Sequence, residues 1–147
     1  MITENCWVYQ GNPITEIEPS VVGFVYSITN LIDGRIYFGK KQAFFKKTSL
    51  KTVLIKSTGL KTKKKIRSMV PSDWLDYYGS SESLKKDVEL LGKESFSREI
   101  LMFCYSLSEL SYREAKIQFE TDALLFPDKY YNSWIMVRTR RDHLLKK

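Results

Sequence analysis

The stretch GFVYSITNLIDGRIYFGKK, residues 23–41, constrains the fold more than any other part of the chain. On both sides of its centre it is rich in β-branched and aromatic residues, which favour strands. The Asp33-Gly34 dipeptide between them tolerates the positive backbone angles of a tight turn. The pattern therefore predicts an antiparallel hairpin with Tyr26 on its first strand and Tyr37 on its second.

Further along the chain, the patterns predict two helices and another strand. Apolar residues recur at helical spacing over 84–91, and Gly92 is a typical helix stop. Residues 96–105 have strand composition, and a longer helix is predicted from 108 or 111 to 125, before Pro127. A short strand near the N-terminus and another after the second helix complete the pattern. This order of elements predicts an α+β fold.

The length of 147 residues predicts a single domain over 1–147. We divide it into an N-terminal extension (1–20), a lysine-rich insertion (40–72) and a basic tail (138–147). Between Gly34 and Ser72 there are twelve lysines and arginines and no acidic residue, in a chain of net charge +7. Such a one-signed stretch attracts nucleic acids, although a solvated loop has the same composition. Interleaved apolar residues favour a partly folded insertion.

Several other classes of protein are poorly supported. No apolar run is long enough to span a membrane, and the N-terminus lacks a secretory signal. Cys6 and Cys104 lie far apart without metal-site spacing, which predicts free thiols and a cytoplasmic protein. The single histidine, His143, lies in the basic tail, so zinc sites and histidine catalysis are not expected. No phosphate loop or dinucleotide motif indicates a small-molecule cofactor.

The remaining polar residues suit metal-assisted hydrolysis of a phosphodiester. A helix carboxylate can hold a hard cation such as Mg²⁺, and basic residues can stabilise the charge on the phosphate. A tyrosine can help to deprotonate water if nearby positive charge lowers its pKa. Tyr37 is placed for this, because Lys40 and Lys41 follow it closely.

Two short motifs on the predicted hairpin resemble the signature of the GIY-YIG nucleases. They are Phe-Val-Tyr at 24–26 and Tyr-Phe-Gly at 37–39, and their tyrosines are eleven positions apart. Residues 79–101 are similar to the helix, glycine and strand of phage homing endonucleases of this type. Residues 119–132 resemble the family's helix glutamate followed by Pro-x-x-Tyr-Asn. The resemblance covers about 21–134, and the lysine-rich insertion further favours the free-standing phage-type subgroup.

This resemblance implies a fold, a cofactor and a set of site residues. The fold would be a three-stranded antiparallel sheet flanked by helices, and the cofactor one Mg²⁺ or Mn²⁺ ion. Tyr26 and Tyr37 would line the site, one of them acting as or assisting the general base. Glu120 would be the sole protein ligand of the metal, and Asn132 would hold the local geometry through hydrogen bonds.

Two glutamates on the second helix are candidates for the metal ligand. Ser111 and Glu114 have the spacing of a capping box, which gives Glu114 a structural role at the start of the helix. Glu120 has no such role, although a surface pair with Lys116 would also explain it. We therefore favour Glu120, with Glu114 as the alternative.

The basic residues depart from the family pattern. The family has an arginine on the helix after its second motif, and at the matching offset this chain has Lys47. Arg67 is the alternative, and Lys40 or Lys41 could also reach the phosphate. Tyr77 or Tyr78 could supply a third tyrosine. The residues predicted to bind nucleic acid are Lys40, Lys41, Lys46, Lys51, Lys63, Lys64, Lys65, Arg138, Arg140 and Arg141.

Together these features predict a metal-dependent endonuclease that cleaves double-stranded DNA. The phage-type resemblance implies a homing or mobile-element role in the host-cell cytoplasm. The basic insertion and tail would position the DNA backbone without specifying its sequence. Two alternatives stay open, a nucleic-acid-binding protein that has lost cleavage and a nuclease directed at RNA.

Overall fold

The computed structural model describes residues 5–145, which form a mixed five-stranded sheet with helices and a separate two-stranded ribbon. The strand order in the sheet is β2-β1-β7-β3-β4. Its strands are β1 (Trp7–Tyr9), β2 (Asn12–Ile14), β3 (Gly23–Asn30), β4 (Ile36–Gln42) and β7 (Phe96–Cys104). The predicted α+β fold is confirmed, and the central strands β7, β3 and β4 are antiparallel as expected.

The sheet is larger than the three predicted strands. β1 pairs parallel with β7, and β2 pairs antiparallel with β1 to form one edge. Both added strands are three residues long, and β2 contains Pro13. A proline is tolerated at an edge because it cannot donate a ladder hydrogen bond. The short strand predicted near the N-terminus corresponds to β1, but its pairing with β7 and the strand β2 were not predicted.

The predicted hairpin is confirmed as β3 and β4, and β4 is longer than expected because it extends to Gln42. Its turn is organised by Asn30, whose Oδ1 accepts a hydrogen bond from the Ile32 N–H at 2.9 Å. The Gly34 N–H donates to the Asn30 carbonyl at 2.8 Å, and Gly34 has a φ of +82°. A glycine adopts this left-handed conformation at little cost, so the turn has a local reason to close here.

Two helices pack on opposite faces of the sheet. α1 (Glu82–Leu91) lies on the face that carries Phe24, Tyr26 and Ile28, together with the buried Trp7 and Trp74. α2 (Leu107–Glu120) covers the other face, where Leu110 and Ile117 pack with Val25 and Cys104. A four-residue helix, α3 (Arg141–Leu144), follows near the C-terminus. No helix within residues 5–145 combines the length and apolarity needed to cross a bilayer.

The start of α2 differs from the sequence prediction. Ser106 is its N-cap, because the Ser106 Oγ accepts a hydrogen bond from the Glu109 N–H at 3.0 Å. The Glu109 carboxylate accepts in turn from the Tyr105 N–H at 2.8 Å. The capping pair is therefore Ser106 and Glu109, not Ser111 and Glu114, and the helix ends at Glu120 instead of residue 125.

The chain after α2 returns along the outer edge of β4. The Ile36 N–H donates to the Lys129 carbonyl at 2.8 Å, and the Tyr131 N–H donates to the Ile36 carbonyl at 2.9 Å. This forms a single parallel bridge between Ile36 and Tyr130, and the short strand predicted after residues 129–134 is not formed in the described part of the chain. The bridge places the residues that follow, from Asn132 onward, beside the free edge of β4.

The lysine-rich insertion is a β-ribbon. β5 (Phe44–Leu54) and β6 (Lys61–Pro71) pair antiparallel along their whole length, and a turn over 55–60 joins them. Residues 44–71 are called the ribbon below. All residues of its two strands are exposed except Phe44, Val53 and Val70, so the ribbon projects from the body of the protein.

Candidate active site

A cavity of about 320 Å³ lies at the free edge of β4, where the two faces of the sheet meet. α1 begins on one side of it and α2 passes on the other. We call it the β4 cavity, and its lining includes Tyr37, Lys40, Ser80, Glu114, Gln118 and Asn132. Alternation along β4 explains how residues from opposite faces reach it. Tyr37 packs with the core on the α1 side, whereas the Lys40 Nζ donates to the Ser111 Oγ of α2 at 2.9 Å.

The two motif tyrosines lie side by side, but only Tyr37 lines the β4 cavity. Tyr26 is fully buried behind it, with 6.1 Å between the two ring centroids. A Cβ atom at Gly39 would lie 2.5 Å from the Tyr26 hydroxyl oxygen, so the glycine of the second motif makes room for this ring. The Tyr26 hydroxyl has no hydrogen-bond partner among residues 5–145.

The expected lowering of a tyrosine pKa does not occur in the protein alone. Burial raises the pKa of Tyr37, and the nearby Glu114 and Tyr77 raise it further. A hydrogen bond of 3.0 Å between the Tyr37 hydroxyl and the Ser80 Oγ opposes the effect. Burial also raises the pKa of Tyr26, well above its usual value. Both side chains are therefore neutral hydroxyls near neutral pH.

Glu114 is the glutamate that reaches the cavity. With Ser111 and Gln118 it lies on one face of α2, at positions three and four residues apart. Its side chain is half-buried, and burial raises the pKa of its carboxyl while the charge of Lys40 partly opposes this. Because α2 begins at Leu107, Glu114 is a mid-helix residue, and the capping role assigned to it from the sequence is wrong.

Glu120, the favoured candidate, lies elsewhere. It is the last residue of α2, is exposed, and does not line the β4 cavity. Its carboxylate lies 3.4 Å from the Lys116 Nζ, which is the surface pair considered as its alternative explanation. Glu120 was preferred because a capping box predicted at Ser111 and Glu114 gave Glu114 a structural role that the structure does not show.

Asn132 lies in the cavity wall and clamps β4. Its Oδ1 accepts from the Phe38 N–H at 3.0 Å, and its Nδ2 donates to the Phe38 carbonyl at 2.8 Å. The Gln118 Nε2 donates to the same carbonyl at 3.0 Å. The side chain thus replaces a neighbouring strand at the edge of the sheet, next to Tyr37.

The cation that lines the cavity is Lys40, one of the alternatives considered from the sequence, and not Lys47 or Arg67. Lys47 and Arg67 lie on the ribbon, are exposed, and do not line the cavity. Lys41 points to the opposite face of β4, where its Nζ lies 2.6 Å from Asp73 and 4.1 Å from the Tyr77 ring centroid. Lys40 is the single cation among the described residues that line the β4 cavity.

The other predicted residues lie outside the cavity. Five of the predicted nucleic-acid ligands, Lys46, Lys51, Lys63, Lys64 and Lys65, are exposed on the ribbon. Arg138, Arg140 and Arg141 are exposed near the C-terminus. Of the candidate third tyrosines, Tyr77 packs edge-on against Tyr26 with ring centroids 6.0 Å apart. Tyr78 stacks with the Arg98 guanidinium instead, 4.2 Å from the ring centroid.

The sequence reasoning missed a polar network behind the cavity. The Tyr131 hydroxyl donates to the Asp87 Oδ2 at 2.7 Å and accepts from the Asn30 Nδ2 at 3.0 Å. The Arg35 guanidinium forms a salt bridge of 2.6 Å with Asp87 and lies 4.3 Å from the centroid of the Tyr131 ring. The network joins the hairpin turn, α1 and the returning chain, and so holds the cavity walls together.

Ser80 and Gln118 were also missed as site residues. Ser80 immediately precedes Ser81, the N-cap of α1, whose Oγ accepts from the Leu84 N–H. The GSSES sequence is a recognisable helix-start signal, so a partner for Tyr37 at this point was open to prediction. Nothing in the local sequence marks Gln118, because its role depends on the packing of α2 against β4.

The donor set for a metal ion is small. Residues 5–145 contain no group of three or more histidine, cysteine, aspartate or glutamate side chains that could share a cation. Glu114 is the only carboxylate that lines the β4 cavity within the described part of the chain. A hard cation here would therefore take one protein oxygen ligand and complete its shell with water or phosphate oxygens, as Mg²⁺ commonly does.

Comparison with protein families gives one match. Residues 7–135, most of the chain, match the family described as "Putative endonuclease segE, GIY-YIG domain". Searches of curated proteins and of solved structures found no match.

Proposed function

Because the chain belongs to the GIY-YIG endonuclease family, of the phage type, we propose that it cleaves double-stranded DNA with the help of one divalent metal ion. The family makes it a nuclease, with nucleic acid as the class of substrate. One observation carries the finer proposal: Tyr37, Lys40 and Glu114 come from three different parts of the chain and line a single cavity.

Glu114 fits the metal better than Glu120 does. Its carboxylate is half-buried, its pKa is raised by burial, and it has no salt bridge among residues 5–145. A partly desolvated carboxylate of this kind is stabilised by a nearby positive charge. Mg²⁺ or Mn²⁺ bound there would act as a Lewis acid toward the phosphodiester and its leaving oxygen.

Lys40 supplies the fixed positive charge of the site. Its Nζ is held by the Ser111 Oγ, so the ammonium group is positioned before the substrate arrives. We assign it the role of the family arginine, stabilising the charge that builds on the phosphate oxygens. A lysine keeps the charge but lacks the two-pronged geometry of a guanidinium, so it acts as a point charge.

Tyr37 orients the attacking water. When its hydroxyl donates to the Ser80 Oγ, the tyrosine oxygen is free to accept a hydrogen bond from water in the β4 cavity. As the water attacks, its proton passes to Tyr37, the tyrosine proton passes to Ser80, and the exposed serine releases one to solvent. This relay avoids a free phenolate, which the raised pKa of Tyr37 disfavours.

Tyr26 and Asn132 are positioning residues. Tyr26 is buried behind Tyr37 and fixes the plane of that ring through packing. Asn132 holds the Phe38 backbone and hence the segment of β4 between Tyr37 and Lys40. Neither role requires contact with the substrate.

The test is a nicking assay with two glutamine variants. Supercoiled plasmid and a duplex library are incubated with Mg²⁺, with Mn²⁺ and with chelator. Glu114→Gln should lower the rate of metal-dependent cleavage by roughly 100-fold or more, the effect of losing a few kcal/mol of charge stabilisation. Glu120→Gln is the matched control, since it makes the same change on the same helix outside the cavity, and should cleave at the normal rate. Loss of cleavage in Glu120→Gln alone would overturn the assignment.

A nucleic-acid-binding protein without cleavage activity is the second candidate. It is favoured by the cavity lining, where lysine replaces the expected arginine. Such a protein would bind duplex DNA equally well with metal and with chelator, and leave it intact. Metal-dependent cleavage by the unsubstituted chain would exclude this candidate.

The biological setting follows from the family as a proposal only. A phage-type nuclease would act in the cytoplasm of the host cell, and the homing or mobile-element role expected from the sequence fits that setting. The division into a single domain with a basic insertion and tail likewise stays a prediction. The positions of cleavage in the phage's own genome and in competing genomes would distinguish the two roles. Cleavage at many unrelated sites would indicate general degradation and not homing.

A further inference from the structure

The contacts within the ribbon are too few to explain why such a long hairpin is stable. Both strands are eleven residues long, and all but three of their residues are exposed. An isolated two-stranded hairpin is at best marginally stable in water. A long ribbon that contacts the body near its base, where Phe45 lies beside Lys41, and is otherwise exposed therefore gains most of its stabilisation from whatever it binds.

The charge of the ribbon identifies the class of partner. It carries nine cations and no acidic residue: Lys46, Lys47, Lys51, Lys56, Lys61, Lys63, Lys64, Lys65 and Arg67. None of the salt bridges found within residues 5–145 involves any of them. Protection of strand edges and solubility are served by charges of either sign. A field of one sign without internal partners is complementary to a polyanion.

Two apolar residues, Ile55 and Leu60, flank the polar turn over 56–59 at the far end of the ribbon. Ile55 and Leu60 face each other across the turn, where the Ile55 N–H donates to the Leu60 carbonyl at 2.7 Å. Their exposed fractions are 37% and 65%. Proteins that enter the minor groove of DNA often insert isoleucine or leucine between base steps and kink the duplex. The two cationic strands β5 and β6, called the shaft below, and the exposed apolar pair at the base of the terminal turn supply both parts of that arrangement.

We infer that the ribbon lies along the minor groove of duplex DNA and wedges Ile55 and Leu60 between two base pairs. The inference rests on the proposed function, which takes duplex DNA as the substrate. Eleven residues of strand extend about 37 Å, close to one turn of B-DNA at about 34 Å. The lysines of the shaft would follow the flanking phosphates over that turn. The groove, about 6 Å wide in straight DNA, opens as the wedge kinks the duplex.

This arrangement gives the protein a source of site preference. Flexible pyrimidine–purine steps kink at lower energetic cost than other steps, so a wedge selects sites that the lysines alone would not distinguish. From the sequence, the backbone contacts of the insertion were expected to position DNA without specifying it, and specificity built into the insertion was left open. With the wedge, Ile55 and Leu60 contribute to site preference. The lysines of the shaft still position the DNA without specifying its sequence.

The test compares two pairs of substitutions in the same ribbon. The tip variant is Ile55→Ala with Leu60→Ala. The matched control is Leu50→Ala with Ile66→Ala, which removes the same two side-chain types from the shaft, where their exposed fractions are 61% and 38%. All carry Glu114→Gln and are studied in chelator, so that binding is measured without cleavage. The probe is a duplex of about one to three helical turns with a fluorophore at each end, whose energy transfer reports the bend.

The expected result is a bend of about 20–90° by the Glu114→Gln parent and by the shaft variant. The tip variant should leave the duplex nearly straight and bind it roughly ten-fold more weakly or worse, since two apolar side chains lose their burial. Netropsin, a small minor-groove ligand, should compete with the parent. Duplex RNA of the same sequence should bind more weakly and without a bend, because its minor groove is wide and shallow.

Three results would overturn the inference: no bend by the parent, equal effects of the tip and shaft substitutions, or equal binding of duplex RNA. Failure of the proposed function looks different. A chain that bends DNA through its tip but never cuts it, with any metal, would refute the nuclease proposal and leave the wedge in place. A chain that cuts DNA without bending it would refute the wedge alone.

Discussion

The β4 cavity and the ribbon are close in sequence, since Lys40 lines the cavity and the ribbon begins at Phe44. The two regions are nevertheless organised in opposite ways. Around the cavity, polar groups are paired before any ligand arrives: Asn132 holds Phe38, Ser80 holds Tyr37, and Ser111 holds Lys40. On the ribbon, no cation forms a salt bridge within the described residues, and both strands stand in solvent.

The difference matches the demands of the two tasks. Catalysis requires groups held within a fraction of an ångström of their working positions, which tight packing and hydrogen bonds provide. Binding a long, irregular polyanion is better served by charges that are free to adjust, since each one gains its partner only in the complex. The difference can be tested region by region.

The largest expected effect is on amide hydrogen exchange. Amides of β3, which has a neighbour on each side, should exchange only through global unfolding, which costs about 5–15 kcal/mol in typical domains. Amides of β5 and β6 should exchange through local opening, at rates higher by roughly 1,000-fold or more. Exchange followed by mass spectrometry resolves the two regions, and duplex DNA should slow exchange in the ribbon. Ribbon amides as slow as those of β3 in the free protein would show that the two regions do not differ.

A pair of glycine substitutions sharpens the comparison. Gly39→Ala places a Cβ atom 2.5 Å from the Tyr26 hydroxyl and 2.9 Å from the Tyr37 ring. The crowding should lower the free energy of unfolding by about 1–3 kcal/mol and slow cleavage, because both tyrosines must shift. Urea unfolding followed by the fluorescence of the buried Trp7 and Trp74 measures it.

Gly59→Ala is the control in the ribbon. Gly59 has a φ of +69° and no atom within 4 Å of the added Cβ, so the alanine strains only the local turn. Because the ribbon opens independently of the core, the urea midpoint should stay unchanged. A shift as large as that of Gly39→Ala would mean that the ribbon and the core unfold as one unit.

The contrast between the regions also explains what could be predicted from the sequence. The hairpin was predictable because strand composition and the Asp33-Gly34 turn are local signals, and its two tyrosines came with it. The ribbon was predictable as basic and interleaved with apolar residues but not as two strands. Residues on both faces of the ribbon are exposed, so its strands lack the alternation of polar and apolar residues that marks a half-buried strand.

The glutamate proposed as the metal ligand shows a different limit of prediction from the sequence. Glu114 and Glu120 both lie on α2, for which the sequence prediction took Ser111 as the capping serine, whereas the structure has Ser106. Which serine starts the helix decides which glutamate is structural. A shift of five residues in the helix start, which is larger than the usual uncertainty in helix boundaries, reversed the assignment. The position of Lys40 could not be predicted, because it depends on the distance between β4 and α2.

The smallest effect concerns the edge clamp on β4, for which the ribbon has no counterpart. Asn132→Ala leaves the Phe38 N–H without its partner, while the Phe38 carbonyl keeps its hydrogen bond from Gln118. The free energy of unfolding should fall by about 1–2 kcal/mol, near the low end for an unsatisfied group, because water can reach the edge of a sheet. Gln118→Ala removes only a second donor to the carbonyl and should cost less. If the two variants were equally stable, Asn132 would be a surface polar residue and not a clamp.

The rate of cleavage by Asn132→Ala should fall by more than its loss of stability predicts, because the same clamp sets the distance between Tyr37 and Lys40.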